Sequence, residues 1–180
     1  MGGTVAFGTV DTPLGRMLVA VSETGVLSVD FHDSPAARAR TVERSGLVPV
    51  EDPGRTAAAT ERLAAYFAGE LRDFALPIDW RLTTRVQRQV LAGLYETVPY
   101  GSVVTYGRLG ERSGTSVPAR AIGQVMGANP IPVIVPCHRV VAGNGLGGYS
   151  GGTGLDVKRW LLTLEGALPP TLDWDPAKGP

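Results

Sequence analysis

The sequence predicts an α+β chain in two parts, a small antiparallel sheet with two helices followed by a mostly helical half. Three observations carry this. The first 32 residues alternate apolar runs with turn residues, apolar positions recur at helical spacing behind a cap from Thr84 onward, and the balance of charge changes at the same place. A chain of 180 residues with 43% hydrophobic content can bury a real core.

In the first part, VAFGTV, RMLVAV and VLSVDF are separated by DTPLG and SETG, which reads as a three-stranded antiparallel meander. Helices are expected over Ala36 to Arg44 and Thr56 to Ala68, the second stopped by Gly69. Leu71 to Trp80 reads as extended, with Pro77 placing it at a sheet edge or in a linker. Thr84 with Gln87 three residues on forms a capping box for a helix that gathers Val86, Val90, Leu91 and Leu94 on one face. The domains are therefore set at 1–83 and 84–168, with 169–180 as a poorly ordered tail. A short helix over Thr105 to Arg112, the Ser113-Gly114 stop and a helix over Pro118 to Ala128 make a helix-turn-helix outline. The second of these helices carries one charge, Arg120, among Ala121, Gly123, Gly127 and Ala128, small residues that let a backbone approach closely or pack on a neighbouring helix. Residues 143–154 hold seven glycines and must be a loop. Gly143, Gly145 and Gly148 fit a dinucleotide-binding spacing, but the strand and crossover helix it requires are missing. Leu155 to Glu165 is the last helix.

Formal net charge is zero, yet residues 1–84 carry 8 Lys+Arg against 11 Asp+Glu, while residues 85–160 carry 8 against 3. Seven of those eight later cations are arginine, the residue suited to phosphate forks and base stacking. The N-terminus lacks a signal-peptide pattern, and no window approaches the roughly 18 apolar residues of a membrane span. One cysteine permits no internal disulfide, and with only His32 and His138 beside it no closed zinc site can be built, which suits a reducing cytoplasm.

Cys137 is thus a packing residue or a reagent. A thiol becomes a nucleophile when a base or a positive field stabilises its thiolate. His138 is adjacent, but neighbouring side chains diverge on both helix and strand, so coupling requires a turn or a bridging water. The carboxylate that would orient His138 is to be found among Glu96, Glu111, Asp156 and Glu165, and spacing does not choose between them.

PCHRV at 136–140 after NPIPVIV, GYSGG at 148–152 and KRWLLTLEG at 158–166 closely resemble the O6-alkylguanine-DNA alkyltransferases, and TPLGRMLVAVSETGVLSVDF resembles that family's N-terminal ribonuclease-H-like domain. The resemblance implies a ribonuclease-H-like domain followed by a helix-turn-helix domain. It further implies a protein that transfers the alkyl group of O6-alkylguanine from duplex DNA to its own Cys137, once per molecule, and leaves O4-alkylthymine open as a second donor. In that frame His138 acts on Cys137 through a water, Glu165 orients His138, and Asn129 holds the turn that presents the thiol. Tyr106 donates to the guanine and crowds the phosphate so that the nucleotide rotates out. Arg120 fills the gap in the base stack, with Ala121, Gly123 and Gly127 in the minor groove. Val140, Tyr149, Ser150, Gly151 and Met126 line the base pocket. The resemblance calls for no cofactor, no metal and no obligate protein partner, hence a monomer acting on double-stranded DNA in the cytoplasm.

Four departures accompany it. Gly127 stands where some relatives carry a basic residue, so Arg88 or Arg108 becomes a candidate for phosphate contact. The segment SGGTGLDVK is about two residues longer than in some relatives. The N-terminal zinc of some members lacks ligands here, and the absence of a cysteine-rich sensor domain argues against a two-domain regulator. Two rivals remain at this point: a recognition protein of the alkyltransferase-like kind, which replaces the cysteine, and a thiol hydrolase or redox protein built on Cys137 and His138.

Overall fold

The computed structural model describes residues 2–149 and 154–180. It divides into two compact units, Met1–Leu82 and Thr83–Pro180.

The first unit is built on a sheet of order β3-β2-β1-β4, with β1 at Thr4–Thr12, β2 at Gly15–Ser22, β3 at Val26–Asp30 and β4 at Val48–Val50. Its first three strands form an antiparallel meander, and a register shift lies between Ala20 and Val21. The fourth was not expected: β4 pairs parallel to β1, reached by a crossover through helix α1 at Pro35–Ser45. Three residues around Pro49 give too short and irregular a pattern to read as a strand.

Met17 to Ser22 are all buried, because β2 is central and covered on both faces; its sequence consequently runs apolar without alternation. Helix α2, at Pro53–Phe67, packs on β1 and β2. It starts three residues earlier than its apolar spacing suggests, since Asp52 caps it by accepting from the Arg55 amide and Pro53 fills the first turn. The expected extended segment touches the sheet at one point, where Ile78 bridges Val26. Gly25 permits this approach, because an added Cβ would collide with the backbone carbonyl of Pro77. Ser22 donates to Asp79, which also accepts from Arg81, and so ties the segment to β2.

The second unit begins with α3, Arg85–Thr97, whose capping box joins Thr84 and Gln87 in both directions. Helix α4 covers Tyr106–Arg112 and is capped by Thr105; α5 covers Ala119–Gly127 and follows after the turn at 113–118. Leu91, Leu94, Leu109, Ile122, Ile131 and Leu161 are fully buried in this unit. A two-residue parallel ladder, β5 at Val104–Thr105 with β6 at Val140–Val141, is too short to leave a sequence signal. Helix α6 spans Leu155–Leu164. The tail 169–180, for which no fixed structure was expected, turns back on α6. Trp174 lies 5.6 Å from Trp160 between ring centroids, and the Trp160 indole donates to the Lys178 carbonyl at 3.0 Å. Two large aromatic faces outweigh the proline-rich composition on which the expectation rested. No helix among the described residues is long and apolar enough to cross a membrane.

Candidate active site

Cys137, His138 and Arg139 form a single 3₁₀ turn, all buried, between the proline-rich loop 129–136 and β6. The loop is held from within by Asn129: its amide donates to the Val135 carbonyl at 3.0 Å, and its carbonyl accepts from the Ile131 N–H at 3.0 Å. Val133 in that loop has φ +71°, in the left-handed region that a β-branched residue rarely occupies. Such a conformation costs of order 1–3 kcal/mol and persists only where the surroundings over-determine it. Here Val133 is fully buried, and the two Asn129 hydrogen bonds close the loop around it.

Of the four carboxylates left open, the structure joins Glu165 to His138, Oε2 to Nε2 at 2.7 Å, with His138 0% and Glu165 4% exposed. Glu165 closes the C-terminus of α6. Its second partner went unassigned in the sequence: Arg139 donates through Nε to Oε1 at 2.7 Å and through Nη2 to Oε2 at 3.0 Å, and its Nη1 reaches the Val98 carbonyl at 2.8 Å. Burial alone would raise the Glu165 pKa; the charges and hydrogen bonds of His138 and Arg139 outweigh it and hold the carboxyl at about 2. Glu165 is therefore an anion, and the proton on His138 belongs on Nε2. His138 Nδ1 is buried and makes no hydrogen bond among the described residues.

Burial also dominates at Cys137 and pushes its thiol up, against hydrogen bonds from Asn129 and Tyr149 and the charge of Lys158. The resting group is a neutral thiol. Lys158, another residue the sequence reading did not assign, is 0% exposed and donates to the carbonyls of Val140 at 2.6 Å and Gly148 at 3.0 Å. Desolvation lowers its pKa to about 8, with the Cys137 charge acting in the opposite direction. Both residues had a signal. Arg139 sits in an otherwise apolar run, and Lys158 shares the inner face of α6 with Val157, Leu161 and Leu162; a charge so placed must be paired.

Tyr106, at the start of α4, lies with its ring 5.8 Å from Lys158 Nζ and its hydroxyl against the Gly148 amide. Burial raises its pKa first, and the nearby Cys137 adds to that. Tyr149 turns its buried hydroxyl toward the Cys137 thiol, and burial likewise raises it well above the usual phenol value. Val140 is buried; its N–H donates to the Cys137 carbonyl, and its own carbonyl accepts from Lys158. Cys137, His138, Glu165, Asn129, Tyr106, Val140 and Tyr149 thus come together. Helix α5 carries the other group: Met126 is buried, Ala121 and Gly123 half-buried, Arg120 and Gly127 exposed. It meets the first group at Gly123, where a Cβ would stand 3.9 Å from the Tyr106 ring. Ser150 and Gly151 lie outside the described residues. Among the described residues no cluster of three or more His, Cys, Asp or Glu could hold a metal ion.

Residues 5–80 match the model of the 6-O-methylguanine DNA methyltransferase ribonuclease-like domain, and residues 85–167 that of the same family's DNA binding domain. A methylated-DNA–protein-cysteine methyltransferase of Mycolicibacterium paratuberculosis is 40% identical over 162 residues, covering 89% of this chain and 92% of its own length. One from Methanosarcina acetivorans is 39% identical over 164 residues, covering 87% and 96%. Among solved structures, the Mycobacterium tuberculosis OGT in complex with DNA superposes with a TM-score of 0.74 at 37% identity, covering 90% of this chain and 93% of that one.

Proposed function

The chain belongs to the 6-O-methylguanine DNA methyltransferase family, whose members repair DNA by moving an alkyl group onto a cysteine of the protein, and from that premise we propose that Cys137 is the acceptor and O6-alkylguanine in duplex DNA the donor. The observation that carries this reading is the buried row Glu165–His138 beside Cys137, with Nδ1 of His138 buried and without a hydrogen bond among the described residues.

The buried thiol needs a base. His138 Nδ1 takes its proton through a bridging water, because the two side chains leave the 3₁₀ turn in different directions. Glu165 holds the Nε2 proton and stabilises the imidazolium that forms, much as a carboxylate does in a nucleophile–His–acid triad. The sulfur then attacks the alkyl carbon and forms the C–S bond. The C–O bond breaks, its electron pair stays on guanine, and a proton donated from the Tyr106 side neutralises the base. Lys158 supplies a positive field beside the developing thiolate. The product is a thioether that neither water nor thiol readily reverses, so each molecule acts once.

A base inside a duplex cannot reach a buried thiol. Helices α4 and α5 act as a helix-turn-helix, with α5 entering the minor groove, the target nucleotide rotated out and Arg120 in the vacated stack. Exposed Arg120 beside half-buried Ala121 and Gly123 supports that placement. O4-alkylthymine presents the same alkyl carbon on an exocyclic oxygen and is a second donor. Two variants test the assignment. Cys137→Ala abolishes transfer and retains duplex binding. Arg120→Ala slows transfer from duplex by about tenfold or more, roughly 1.4 kcal/mol of barrier, while reaction with free O6-benzylguanine stays near the parent rate. Equal damage to both reactions removes the finger role.

A further inference from the structure

Arg85, Arg88 and Arg112 line one open groove between α3 and the end of α4, and Arg120 is not among its lining residues. Arg85 and Arg88 stand three residues apart on α3, on the face continued by Ala92 and Glu96, and Arg112 comes from the last turn of α4. The walls are fixed. Gln89 Nε2 donates to the Ser113 carbonyl at 2.9 Å, and Gly93 lies so close to Ser113 that a Cβ would stand 3.3 Å from its Cα. All three guanidinium groups are exposed, and none makes an ion pair among the described residues; Arg108, by contrast, is within 3.8 Å of Glu111. Glu96 is the one carboxylate lining the groove. Three unneutralised forks converging on a rigid groove make a receptor for phosphodiester oxygens.

We propose that this groove holds backbone phosphates of the duplex outside the lesion nucleotide, so that DNA is gripped at a second place beside α5. Charge complementarity names the occupant, and position supports it. The groove borders Ser113, where the turn leading into α5 begins, and all three arginines fall within the stretch that matches the family's DNA binding domain. The proposal rests on the reading that this unit binds duplex DNA, and it needs none of the groups around Cys137.

The test is duplex affinity of the full chain as a function of salt. Arg85→Gln, Arg88→Gln and Arg112→Gln combined weaken binding at moderate salt and flatten the slope of log K against log[salt] by about 1 per arginine. Glu96→Gln moves both quantities the other way, an increase that loss of structure does not produce. Transfer from free O6-benzylguanine stays at the parent rate in every variant, which reports intact folding and an intact thiol. A triple variant with the parent's affinity and slope, measured where the parent binds duplex, overturns the groove and leaves the alkyl-transfer reading untouched. A parent that neither binds duplex nor takes up the benzyl group overturns that reading instead.

Discussion

At the residue scale the centre is a buried carboxylate with two partners. Glu165 stays ionised because His138 and Arg139 together outweigh the cost of burying it, and its folded pKa of about 2 lies below the ordinary value of 4.5. A depressed carboxyl stabilises the fold above its unfolded pKa and loses that contribution as pH falls through the folded one, so the window here runs from about 4.5 down to about 2. Glu165→Gln leaves Arg139 buried without a counter-charge, which costs about 3–5 kcal/mol where one partner of a buried pair is removed. Thermal melts from pH 6 to pH 2 should therefore show a lower midpoint for Glu165→Gln at pH 6 and a shallower loss on acidification. A variant as stable as the parent, with the same acid limb, contradicts the pairing. Cys137 and His138 stood out in the sequence because each residue type is scarce. Arg139 is one arginine among many, and its only signal is the apolar residues around it; its pairing with Glu165 shows once β6 and α6 enclose it.

At the level of elements, the long periodic helices were legible and the short connections were not. The Thr84–Gln87 capping box marks the start of α3 to the residue, because a cap is a local bonding pattern that sequence spacing can express. β4, β5 and β6 have two or three residues each, and their pairing is decided by what lies beside them in space. The described part of the glycine-rich stretch, 143–149, was legible as a loop, but the reason for one of its glycines was not. Gly147 has φ +73°, and a Cβ there would stand 2.6 Å from the Tyr106 hydroxyl. Gly147→Ala must displace the Tyr106 ring or the loop, and either change disturbs the Tyr106 hydroxyl at the proposed guanine site. Transfer from duplex should fall by at least about tenfold, some 1.4 kcal/mol, with the global melting temperature changed by only a few degrees. A parent-like transfer rate in a folded Gly147→Ala protein shows that Tyr106 does not depend on this contact.

On the scale of the whole molecule, the sequence separates chemistry from scaffold. Apolar runs broken by turn residues, then two helices, fill the chain up to about Trp80, whereas the arginine excess, the lone cysteine and the small-residue helix all fall after Thr84. The two compact units divide between Leu82 and Thr83, and every described residue of the proposed site belongs to the second. What the sequence left unresolved was how a buried, neutral thiol reacts at all. Around that thiol stand an imidazole with one open nitrogen, an anchored carboxylate and a buried lysine. The measurement that bears most directly on this is intact-protein mass spectrometry with peptide mapping, after mixing with excess duplex that carries one O6-methylguanine. The account predicts one added methyl group on the peptide containing Cys137, saturating at one per protein, with guanine restored in the DNA. A protein that binds the lesion and remains unmodified, or that carries the methyl group on another peptide, contradicts it.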